Sequence, residues 1–204
     1  LIDDYTNALY LIDFNYRKFR ETLTETDIEG SIVSKINQMY TDYLDDINYK
    51  FSLLVEKLQN FKIPNITNQH FVWNEFIKHQ GKKCIIFADA LSYELGKELE
   101  NNLHQYKVTN EVMISSLPSV TEIGMTRLIM KPEESMVLKE EGSKLIVSTD
   151  KLHKDLSIRE NRKEKMLSDL PNLQFKDISD LLMQSTDNLN DELAVFSRDI
   201  DSAG

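Results

Sequence analysis

The chain has 204 residues, with 24 Lys and Arg against 34 Asp and Glu, a formal net charge of −10 and 41% hydrophobic residues. That length holds one large domain or one and a half, with enough apolar content for a sizeable core. Acids outnumber bases on both sides of residue 80, which argues against broad electrostatic binding of nucleic acid, and no run approaches the roughly 20 apolar residues of a membrane span.

Residues 1–80 read as a helical region. Tyr5, Leu9, Ile12, Tyr16 and Phe19 recur at spacings of three and four, one apolar stripe of a helix. Thr22 to Gly30 is polar and reads as a loop. The same period resumes at Ile32, Ile36, Met39, Tyr40 and Tyr43 and runs on to Leu58, and Pro64 closes it. Asn68 is placed to cap a short helix carrying Phe71, Phe76 and Ile77, an aromatic stripe expected to pack in a core.

From residue 81 to 204 the pattern changes. Strands are expected at 83–88, 111–116, 144–147, 173–175 and 192–197, and helices at 91–103, 122–129, 158–168 and 177–183. Alternation of this kind predicts an α/β fold, a mostly parallel sheet flanked by helices. Cys84 cannot form an internal disulfide, being the single cysteine, and is expected to be a small buried hydrophobe. The first residues carry no signal-peptide pattern, so the cytoplasm is the expected compartment. A start without Met and a stop on Ser202-Ala203-Gly204 read as a piece of a longer protein.

Three segments carry chemistry. Ligands of open α/β sheets bind outside the carboxyl ends of the strands. Asp89 follows Ile85-Ile86-Phe87 and falls at such an end, where its carboxylate suits a divalent cation. The spacing equally allows Asp89 to cap the helix that follows. Thr121 follows Pro118-Ser119-Val120 at a helix start, as a plain N-cap or as a hydroxyl nucleophile activated by a metal, with Ser119 as the backup. Asp201, just past the last strand, is either a loop aspartate or a second carboxylate for the same metal shell. His70, His79, His104 and His153 form no ligand pair at helical spacing, and the sequence has no G-x-S-x-G, Walker A or G-x-G-x-x-G motif.

Ile86-Phe87-Ala88-Asp89-Ala90-Leu91-Ser92-Tyr93-Glu94 together with Leu117-Pro118-Ser119-Val120-Thr121-Glu122-Ile123-Gly124-Met125 resembles the PglZ domain, a branch of the alkaline phosphatase superfamily. The helical stretch Tyr5 to Arg20 and the segment Ile200-Asp201-Ser202-Ala203-Gly204 extend the likeness over nearly the whole chain. The resemblance implies an alkaline phosphatase-like α/β core with a two-metal site, zinc or else manganese. It implies Asp89 as first metal ligand, Thr121 as metal-bound nucleophile and Asp201 as ligand of the second metal. It further implies a phosphoesterase or phosphodiesterase acting on a phosphate ester, in bacterial defence against phage of the BREX type, beside other defence proteins. The alternative is a non-catalytic module in which residues 1–80 dock those partners. Ser92 stands where the family usually has Arg. The superfamily's later Asp-His pair and further His would follow Gly204, so this stretch alone is expected to hold metal weakly and to be inactive.

Overall fold

The structure is a computed structural model that describes residues 1–23, 29–58, 63, 66–183 and 189–197. Most of the loop expected at 22–30, together with Pro64 and Asp201, lies outside the described residues. Two compact units emerge, Leu1–Ile66 with Ser92–Val112, and Thr67–Leu91 with Met113–Gly204. The chain is therefore mixed α/β with an N-terminal helical region. No described helix is long and apolar enough to cross a membrane.

The first unit is helical. Ile2–Asp4 (α1) passes through a π-helical stretch Tyr5–Leu9 into Tyr10–Leu23 (α2), followed by Gly30–Lys57 (α3) and Tyr93–Asn102 (α5). The tyrosines of the apolar stripe do more than pack. Asp13 accepts from the hydroxyls of Tyr5 (2.7 Å) and Tyr40 (2.9 Å), and Tyr40 stacks on Tyr16 with ring centroids 3.7 Å apart. This ties α2 to α3 through one carboxylate. Burial, and after it the Asp13 carboxylate, raises the Tyr5 and Tyr40 phenols well above the ordinary 10, and pushes Tyr43 up to about 12. Stability from these neutral phenols is present below the ordinary value and is lost as pH rises through the folded one. Asp13→Ala should cost about 2 kcal/mol, the effect of leaving half-buried hydroxyls without a charged acceptor. It should also bring the phenolate titration to lower pH, read by ultraviolet absorbance. An unchanged titration would mean Asp13 is not the shared acceptor.

Motif residues Tyr93 and Glu94 belong to this unit. The Tyr93 hydroxyl donates to the Thr6 carbonyl (3.1 Å), and Glu94 is buried within 3.9 Å of Arg17, which also pairs with Glu98 at 2.5 Å.

The second unit contains Thr67–Asn68 (β1), Phe71–Lys78 (α4), Lys83–Ala88 (β2), Met113–Ile114 (β3), Thr121–Leu128 (α6), Met136–Glu141 (β4), Lys144–Thr149 (β5), Arg159–Asp169 (α7), Gln174–Asp177 (β6), Ile178–Met183 (α8) and Glu192–Ser197 (β7). Its main sheet is parallel, in order β2-β7-β6. The middle strand carries the buried run Leu193-Ala194-Val195, the continuous apolar stretch of a strand covered on both faces. The core beside it gathers Trp73, Phe87, Ile129, Met166, Leu170 and Leu173.

Several local expectations are corrected. Cys84 is exposed, because β2 alternates and turns Cys84 and Ile86 outward while Phe87 faces the core. Partial desolvation still raises its thiol pKa. The strand expected at 144–147 is β5, one arm of an antiparallel hairpin with β4. A two-residue turn joins Glu141 to Lys144, and Gly142 adopts the positive φ such turns require (64°). The charged run Lys139-Glu140-Glu141 hid β4 from the hydropathy pattern. Asn68 belongs to β1, and His70 rather than Asn68 is the N-cap of α4.

Candidate active-site cleft

All three strands of the parallel sheet end on the same rim. Asp89 leaves β2 there, its backbone N–H donating to the Ser197 carbonyl at the end of β7 (3.1 Å). Asp177 ends β6 on the same side, paired in register with Phe196. Ala90 follows with a φ of 58°, a left-handed conformation that costs a residue with a Cβ about 1–2 kcal/mol. Its N–H donates to Asp89 Oδ1 (3.0 Å). Helix α5 starts only at Tyr93 with Ser92 in the N-cap, so Asp89 does not cap it.

Thr121 is not an N-cap either. Val120 occupies that position in extended conformation, without a side-chain hydrogen bond, and Thr121 is the first helical residue of α6. The Thr121 side chain is exposed, and its hydroxyl is not spent on capping. The segment leading to it contains a cis Leu117-Pro118 bond and is tethered by Gln69, which is buried. The Gln69 side chain accepts from Ser116 N–H (2.9 Å) and donates to the Gly124 carbonyl (2.7 Å), spanning the turn.

Asp89 and Thr121 line one cleft of about 330 Å³. Phe87, Met125 and Phe196 give it apolar walls; Ser157, Arg159, Arg162 and Ser197 complete it. Arg159 and Arg162 belong to no sequence motif. They sit in the first turn of α7, the helix that leads into β6. A helix that precedes a parallel strand runs antiparallel to it and starts at the carboxyl rim. Its first-turn side chains were therefore candidates from the element order alone.

The loop feeding α7 is tied down from several directions. Thr126 of α6 donates to the Leu156 carbonyl (3.1 Å), and Asn161 donates to the Asp155 carbonyl (2.7 Å). Asp155 Oδ1 accepts from the N–H groups of Ser157 (3.0 Å) and Val147 (3.4 Å). Partial burial, which alone would raise the Asp155 pKa, is outweighed by these bonds and the nearby Lys144, so the carboxyl lies below its ordinary 3.8. Its contribution to stability is present above that value and is lost as pH falls through the folded one. Asp155→Asn should therefore differ from the parent in urea midpoint at neutral pH, and the difference should shrink in acid. A difference independent of pH would rule the carboxylate out as the anchor of this loop.

Asp89 and Thr121 are hard oxygen donors that suit a divalent cation. Among the described residues no group of three or more His, Cys, Asp and Glu gathers as a metal site. A closed shell would need donors outside them, and Asp201 lies outside them. Of the histidines, His153 is exposed as expected. Burial, and after it Arg127, lowers the pKa of His70.

A family model described as the BREX system PglZ alkaline phosphatase-like domain matches residues 69–201. The chain belongs to the PglZ family. The match covers the whole α/β stretch that builds the cleft. The chain is 29% identical over 195 residues to the "Alkaline phosphatase-like protein PglZ" of Bacillus cereus (strain H3081.97), covering 88% of this chain and 22% of that protein. It is also 29% identical over 150 residues to the "Alkaline phosphatase-like protein BrxZ" of Escherichia coli O9:H4 (strain HS), covering 65% of this chain and 17% of that protein. The chain thus spans about a fifth of the length of these PglZ relatives. No solved structure gives a significant match.

Proposed function

We propose that this PglZ chain contributes the nucleophile and one metal ligand of a cytoplasmic, metal-dependent phosphodiesterase working with other proteins of a phage-defence system. The observation that carries this reading is the meeting of Asp89 and Thr121 in one cleft at the carboxyl rim of a parallel sheet. Asp89 would hold a divalent cation, zinc or manganese, and Asp201 would add a second carboxylate. Such a cation, when bound, lowers the pKa of the attacking hydroxyl and neutralises charge on the phosphoryl oxygens. The Thr121 hydroxyl gives up its proton and attacks phosphorus, and the ester's alcohol departs, taking a proton. Water then cleaves the Thr121–phosphate bond, which restores the hydroxyl and releases the second product. The apolar walls of Phe87, Met125 and Phe196 favour an ester that carries an apolar group.

The test is release of the aryl alcohol from an aryl phosphodiester by the full-length protein. Turnover should require added Zn²⁺ or Mn²⁺ and stop on chelation. A rate indifferent to a chelator would reject the metal-dependent reading.

A further inference from the structure

The cleft of this strongly acidic chain is lined by two cations and one anion, Arg159 and Arg162 facing a site that also holds Asp89. We propose that Arg159 and Arg162 form its oxyanion subsite, gripping the non-bridging oxygens of a phosphate ester; this rests on the phosphoester reading of the cleft.

The two arginines are three residues apart at the start of α7, so they share one face of the helix. Both are held in place before any ligand arrives. Arg162 Nη1 donates to the carbonyls of Leu156 and Ser157, each at 2.8 Å, in the loop described above. Arg159 lies over the Phe196 ring, its Cζ 4.8 Å from the centroid, and Nη2 donates to Asp177 Oδ1 at 2.5 Å. A guanidinium offers five N–H donors in a rigid fork whose spacing matches two phosphate oxygens.

A purely structural role for Arg159, stitching α7 to β6, leaves one fact over. Its Nε–H is buried and has no acceptor among the described residues. A buried donor without a partner is costly, and the pair with Asp177 is half exposed and offsets little of that. The guanidinium is partly exposed where it lines the cleft, and a rotation that brings Nε–H round to an oxyanion there would give this donor its acceptor. The position also suits the reaction. The arginines belong to a different element from Thr121 and Asp89, so an ester held by its non-bridging oxygens can still present phosphorus to the hydroxyl. The N-terminus of α7, eleven residues long, adds its dipole in the same sense.

The experiment is calorimetric titration of inorganic phosphate into the full-length protein with chelator present, so that no metal contributes. Wild type should bind saturably. Arg159→Gln and Arg162→Gln should each weaken binding about tenfold or more, the effect of one lost charge-assisted hydrogen bond. Arg159→Lys keeps the charge but lacks the Nε–H, and should fall clearly short of wild type. Should the glutamine variants misfold, nitrogen-15 spectra of the wild type read the same contact, because the Arg159 Nε–H resonance should shift and saturate with phosphate. The titration reads binding alone and needs no turnover. A wrong nucleophile would therefore leave this result standing. The proposal is overturned by absence of saturable binding, or by folded glutamine variants that bind like wild type.

Discussion

Replacement of Thr121 by Ala is expected to reduce phosphodiester hydrolysis by at least about a thousandfold while leaving the fold intact. The size follows from the proposed role, since losing a nucleophile removes the covalent route altogether. The intact fold follows from position. Thr121 is exposed, it is the first helical residue of α6, and the N-cap is Val120, so the hydroxyl is not part of the helix's capping. Initial rates with Zn²⁺ or Mn²⁺, compared with melting temperature, separate the two effects. Thr121→Ser should retain part of the activity because it keeps the hydroxyl. Turnover by Thr121→Ala near the parent rate would remove Thr121 from the mechanism, and Ser119, two residues before it, would be the next hydroxyl to examine.

The largest effect on stability is expected from Asp169→Ala. Asp169 accepts from the indole N–H of Trp73 at 2.9 Å, and Trp73 is fully buried. Its two oxygens also face Lys131 at 2.5 Å and Lys165 at 3.6 Å, and Lys165 pairs with Glu134 at 3.1 Å. The Lys165 side chain is 4% exposed, so its charge depends on Glu134 and Asp169 for compensation. The Asp169 carboxylate, before any other cause, holds the Lys131 pKa above its ordinary value. Removing that carboxylate leaves an indole donor and a buried ammonium short of partners at once, a loss of about 3–5 kcal/mol. Asp169→Asn should be milder, because its amide oxygen can still accept from Trp73. Trp73 is the single tryptophan of the sequence, so its fluorescence follows this cluster through a urea titration. A loss under about 1 kcal/mol would mean that Lys165 reaches water when Asp169 is gone.

Much of the fold was legible because it is written in local periodicity. The spacing of three and four among Tyr5, Leu9, Ile12 and Tyr16 specified a helix, and the π-helical stretch Tyr5–Leu9 and α2 carry it between them. The runs at 83–88 and 192–197 specified strands, and β2 and β7 occupy those residues and pair in parallel. What escaped was set by neighbours. Strand β4 was hidden because Lys139-Glu140-Glu141 faces water and follows no apolar alternation. Cys84 was misplaced because an apolar run does not say which of its alternate residues faces the core. Helix α4 lies in the α/β unit and α5 in the helical one, an exchange that no local pattern encodes.

The sequence by itself determined most of the helices, the strands of the main parallel sheet, the family, and the acid and hydroxyl at positions 89 and 121, because these depend on residue order over a few turns or on a motif. Only the tertiary structure decided that Asp89 and Thr121 line one cleft, and that Arg159 and Arg162 join them. It also decided that Gln69 braces the turn before α6. The reason is that parallel strands place their carboxyl ends side by side whatever separates them in the chain. A cleft on that rim is assembled from residues as far apart as 87 and 197, at a range where periodicity carries no signal.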